Sequence, residues 1–73
     1  MQSFDAVQDL ANQVKHQIHT RSFGRVRDLD VEFSGPSVVL RGRALTYYAK
    51  QLAQHGALEA LDGRTIVNAI DVD

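Results

Sequence analysis

Chemistry in this chain could come from its three histidines, from serine hydroxyls paired with a base and an acid, or from a run of basic side chains. His16 and His19 lie three apart, a spacing that puts both imidazoles on one helix face, and His55 could supply a further nitrogen from elsewhere. A metal would need signs of their convergence, or thiolates or carboxylates at ligand spacing. There are none, so the histidines are read as exposed helix residues and no metal site is expected. Ser22, Ser34 or Ser37 could be combined on paper with a histidine and an aspartate into a triad. The sequence has no nucleophile elbow, however, and too little chain to build a substrate pocket. A phosphate-binding loop is absent as well. The expectation is a non-enzymatic protein with no cofactor and no small-molecule substrate.

The basic run is the remaining lead. Lys15, Arg21, Arg25 and Arg27 form the local excess of positive charge, with His16 and His19 beside them. Phe23 and Val26 are interleaved with them. An aromatic in a basic loop suits a membrane surface or a phosphate backbone, but a Phe23 inserted into the core beneath a charged loop is the plainer reading and the preferred one. Tyr47 and Tyr48 pose the same choice. One ring is expected in the core and the other in water, where it favours interfaces and bilayer surfaces.

These residues must be positioned by one small domain, residues 1–73, near the lower size at which an apolar core holds a fold unaided. With no cysteine, neither a disulfide nor a thiolate metal site can help. Eight basic residues nearly balance nine acidic ones, which argues against a nucleic-acid binder. No segment approaches the roughly 20 apolar residues that span a bilayer, and Met1-Gln2-Ser3-Phe4-Asp5 lacks the features of an export leader. The expected location is cytoplasmic for the chain as given, or periplasmic for a domain released from an exported precursor.

Phe4, Val7, Leu10, Ala11, Val14 and Ile18 recur at helical spacing among polar residues, which predicts a helix over about 4–21, with Ser3 as its cap and Gly24 closing it. After Gly24 the period becomes 2. Leu29, Val31 and Phe33 alternate with Asp28, Asp30 and Glu32, and Ser34-Gly35-Pro36-Ser37 turns the chain into a second strand. There Val38, Leu40, Gly42 and Ala44 alternate with Val39, Arg41 and Arg43, so the two arginines should pair across the hairpin with the acidic row. Thr46 can cap a second helix reaching about residue 60, in which Gly56 marks close packing against the first helix or the sheet; a continuous helix also keeps Leu58 and Leu61 near a common core. Asp62-Gly63 leads to a last strand, Thr65 to Val72.

The order is α-β-β-α-β, an α+β two-layer sandwich: a three-stranded mixed sheet with both helices on one face, joined by a right-handed crossover. Gly42 is read as structural, leaving room for a helix or Phe33 to approach the strand. Asn68, polar among the inward residues Ile66, Ile70 and Val72, is read as a structural clamp bonded to main-chain groups of a nearby loop.

Gly35, Val38, Leu40, Gly42, the helix start Thr46-Tyr47-Tyr48 and the closing Ile66-x-Asn68-x-Ile70-x-Val72 resemble the BON domain, named from bacterial osmotic-stress and nodulation proteins. The likeness runs from about Val14 to Val72. It implies a small non-catalytic module of the bacterial envelope, suspected of attaching to phospholipid or of associating with other proteins. Carried onto this chain together with the basic run, it suggests peripheral contact with anionic phospholipid through Lys15, Arg21, Phe23, Arg25, Arg27 and Tyr47. The alternative is a protein-interaction or oligomerisation module that uses a sheet edge or the exposed Val39, Val67 and Ala69.

Overall fold

The computed structural model describes residues 3–73, with side chains from Gln8 onward. The first amphipathic segment forms α1 (Ser3–Arg21). The proposed Ser3 cap and the apolar side chains Phe4 and Val7 lie outside the described side chains. Two strands follow, β1 (Val26–Ser34) and β2 (Ser37–Ala44), then α2 (Tyr47–Ala60) and β3 (Thr65–Val72). This is the expected α-β-β-α-β order. The sheet order is β1-β2-β3, with β2 antiparallel to β1 and parallel to β3.

Local chemistry explains each junction. Gly35 at φ 58 followed by Pro36 gives the two-residue turn that lets Ser34 pair with Ser37. The Thr46 hydroxyl accepts from the Ala49 N–H at 3.0 Å and caps α2. Gly63, at φ 80, turns the chain into β3.

The inward face carries Val26, Val31, Val38, Leu40, Ala44 and Ile70, all buried against Val14 and Ile18 of α1 and Ala49, Ala53 and Ala57 of α2. Leu10, Leu29, Phe33 and Ile66 pack around this core without being fully enclosed. Helix α2 continues through Gly56, and a Cβ there would sit 3.0 Å from the Ile18 Cα, so close helix packing is indeed what the glycine allows. Leu61 is buried, but Leu58 is exposed, on the far side of α2 from the core.

The alternation of β1 is interrupted where the sequence suggested a regular strand. The register with β2 shifts between Arg27 and Asp30, and Asp28 takes a left-handed φ of 53. This bulge lets Val26, Leu29 and Val31 all serve the core side although their spacing is not even. It also corrects the expected role of Gly42. A Cβ on that residue, whose φ is 155, would lie 2.8 Å from the Arg27 carbonyl oxygen and 3.3 Å from the Leu29 Cα. What approaches Gly42 is therefore the bulged backbone of β1, and neither a helix nor Phe33.

The bulge also alters the expected charge pairing. Arg41 meets Glu32 at 3.3 Å, as expected for the hairpin, but Asp30 lies 3.9 Å from Lys15 of α1, and Arg43 is registered opposite Arg27, a like charge.

Leu40→Ala should cost about 2–5 kcal/mol, because the side chain is wholly enclosed at the centre of the sheet. Denaturant unfolding measures it, and a loss under about 1 kcal/mol would place Leu40 outside the core. Gly42→Ala should cost about 1–3 kcal/mol by pushing the Arg27 carbonyl away; a neutral result would mean the bulge adjusts freely.

Candidate functional site

The β register brings three parts of the chain to one end of the sheet. Val26 pairs with Ala44, and Ala44 pairs with Val72. The loop between α1 and β1, the β2–α2 junction and the end of β3 all lie within a few residues of that row.

The α1–β1 loop is built by a helix terminus. Ser22 is buried, and its hydroxyl donates to the Ile18 carbonyl at 2.7 Å, which commits that hydroxyl to the helix end. The Gly24 N–H donates to the His19 carbonyl at 2.9 Å, and both Phe23 (φ 57) and Gly24 (φ 69) adopt left-handed conformations. A left-handed backbone is uncommon for a bulky residue. Here it turns Phe23 outward, leaving the residue 74% exposed. The preferred expectation of a core-inserted Phe23 is thus wrong: Val26, three residues on, fills the core instead.

The tyrosine expectation also fails. Tyr47 is 63% and Tyr48 66% exposed, because in the first turn of α2 it is Ala49 that faces the core. Leu45, between β2 and the Thr46 cap, is exposed too. Five of the seven exposed large apolar residues among those described, Phe23, Leu45, Tyr47, Tyr48 and Val72, lie at this one end. Leu45 and Val72 were missed as members of a surface, and Tyr48 was considered only as the alternative to Tyr47. Their signal was present in the sequence as two adjacent aromatics beside a leucine, but only the register shows that they share an end with Phe23.

The basic residues divide into two groups. Lys15 lies 3.9 Å from Asp30, and Arg21 lies 3.1 Å from Glu59, which also accepts from Gln17. Both are thereby directed along α1, toward β1 and α2 respectively. Arg25 and Arg27 are exposed at the apolar end with no ion pair among the described residues, and Arg43 joins them. Asp28, Asp71 and Asp73 are exposed at the same end and moderate its charge.

The histidines are dispersed. His16, His19 and His55 are all exposed; the His19 ring lies over Gly24, and His55 borders a shallow depression on α2 with Gln51, Gln54 and Leu58. Among the described residues no three His, Asp or Glu side chains converge as metal ligands.

Asn68 is half-buried and fully engaged. Its amide nitrogen donates to the Lys50 carbonyl at 3.0 Å and to the Gln54 Oε1 at 3.4 Å, while its oxygen accepts from the Ile70 N–H at 3.3 Å. The partners are therefore on α2 and on β3 itself, and not on a loop. Among the described residues no helix is long and apolar enough to cross a membrane. No family model, curated protein or solved structure matches the chain.

Asn68→Ala should destabilise the fold by about 1–3 kcal/mol, since it removes the tie between α2 and β3. Thermal or denaturant melts read this, and an unchanged midpoint would show that water replaces the amide without loss.

Proposed function

We propose that this protein is a small non-catalytic binding module that associates peripherally with anionic phospholipid through the Phe23–Tyr48 end of its sheet. One observation carries the reading: the exposed apolar residues Phe23, Leu45, Tyr47 and Tyr48 gather at the end where Arg25, Arg27 and Arg43 have no ion partner among the described residues. Exposed aromatic and aliphatic groups beside arginines are what a headgroup layer accommodates, the rings at the acyl boundary and the guanidinium groups at phosphate. The left-handed backbone that holds Phe23 outward supports the same reading, because such strain accumulates at functional positions. The resemblance to the BON domain agrees with it.

Of the six residues first suggested by the sequence, Phe23, Arg25, Arg27 and Tyr47 form this contact. Lys15 and Arg21 act at most as background charge, held by Asp30 and Glu59. Each basic group near an anionic surface contributes about 1 kcal/mol, so with acids nearby the apolar residues must supply much of the affinity.

Sedimentation with vesicles of phosphatidylglycerol and of phosphatidylcholine tests this. Binding should favour the anionic vesicles, weaken with salt, and fall at least ~10-fold for Arg25→Glu with Arg27→Glu and for Phe23→Ala, all at unchanged fold stability. No binding to anionic vesicles at low salt, or binding unaltered by these changes, would reject the lipid reading in favour of a protein partner at the same end.

A further inference from the structure

Across the hairpin the charged rows are matched except for one. Asp30 is opposite Arg41, and Arg41 in turn meets Glu32 at 3.3 Å, so unlike charges face each other there. In the next charged row Arg27 is directly opposite Arg43. Like charges so placed destabilise a ladder. Both side chains are exposed, and neither has a carboxylate in ion-pair range among the described residues, although Asp71 is registered with Arg43 on its other side.

The bulge creates this row. In the register that runs from Ser34 and Ser37 to Asp30 and Arg41, a regular strand would set Asp28 opposite Arg43, an attractive pair. The shift between Arg27 and Asp30 takes the acid out, with its backbone left-handed at φ 53, and puts an arginine in its place. Gly42 makes the room, since a Cβ there would lie 2.8 Å from the Arg27 carbonyl oxygen. Seating Val26 in the core accounts for the shift, but it asks only for polar side chains at positions 27 and 43. An uncompensated arginine pair in a hairpin otherwise matched by charge is a local rule broken where a ligand would repay it.

Directly opposite residues hold their Cβ atoms about 5 Å apart on one face, so two guanidinium forks can close on the same group. Each fork donates two parallel N–H bonds. A phosphodiester or a carboxylate offers two charged oxygens, which one fork satisfies. A phosphomonoester offers three, with a charge of about −1.5 to −2 at pH 7, and so can accept from both forks and neutralise both. We propose that Arg27 and Arg43 together bind one phosphomonoester dianion. Resting on the membrane reading above, its source is the headgroup of phosphatidic acid; the other source of the same chemistry is a soluble phosphomonoester. Asp71, beside Arg43, weakens the site.

Sedimentation compares vesicles containing phosphatidic acid with vesicles containing phosphatidylglycerol at the fraction that gives the same surface potential. Phosphatidic acid should bind at least ~10-fold more tightly. Arg43→Gln should abolish that preference while keeping binding to phosphatidylglycerol, and Asp71→Asn should increase it. Arg25→Gln removes the same charge from the same end but lies before β1 and outside the paired row, so it should weaken both lipids alike and keep the preference. Without vesicles, glycerol 3-phosphate should shift the side-chain N–H resonances of Arg27 and Arg43, and dimethyl phosphate at equal ionic strength should not. That response with no vesicle binding would assign the site to a soluble phosphomonoester and reject the lipid reading alone. Equal binding of the two lipids with no response to glycerol 3-phosphate would overturn the proposal and leave the lipid reading standing. So would a preference lost as fully in Arg25→Gln as in Arg43→Gln.

Discussion

At Gly56 the two helices come so close that a methyl group would sit 3.0 Å from the Ile18 Cα and 3.1 Å from the Gln17 carbonyl oxygen. In a chain this small the helix layer must seal one sheet face with few large side chains, and it does so by bringing backbones together. The Ala49, Ala53, Gly56 and Ala57 stripe gives α2 a nearly smooth face, so that Ile18 and Val14 can reach past it to Leu40 and Ile70. Much follows from that approach. It brings Arg21 and Gln17 to Glu59, and it sets the height at which α1 ends and hence where the Ser22–Arg25 loop emerges beside the sheet.

A second close approach governs the sheet. Gly42 admits the bulged backbone of β1, and the bulge restores the inward phase of Val26 after Leu29 and Val31. On the other side of β2, Asn68 ties β3 to the α2 main chain through Lys50. One polar residue in an apolar row thereby links the crossover helix to the strand that follows it, with every buried polar side-chain atom among the described residues satisfied.

The architecture was legible in the sequence because it rests on periodicity. The 3.6-residue pattern of Leu10, Val14 and Ile18, the alternation through β2, and the Thr46 cap each mark an element without reference to the others. The bulge was not legible, since Arg27-Asp28-Leu29 continues an acceptable alternation and only pairing with Gly42 reveals the shift. The site divides in the same way. Arg25 and Arg27 could be read as a basic loop from their local spacing. Phe23 could not be placed, because whether an aromatic after a helix folds inward or outward depends on the backbone conformation at its own position, here left-handed. The two tyrosines were misjudged for a related reason: the helical phase that buries Ala49 leaves Tyr47 and Tyr48 both in water.

The functional account thus depends on a surface assembled by topology from residues far apart in the chain, with Phe23 as its most exposed large apolar side chain. The chain has no tryptophan, so Phe23→Trp places a single reporter at that position. Its fluorescence in the presence of phosphatidylglycerol vesicles is the most direct measurement of whether this end meets a bilayer. The account requires emission to move to shorter wavelength and become shielded from an aqueous quencher, with phosphatidylcholine producing a smaller change. Emission that stays water-like and fully quenchable at saturating anionic lipid would contradict it.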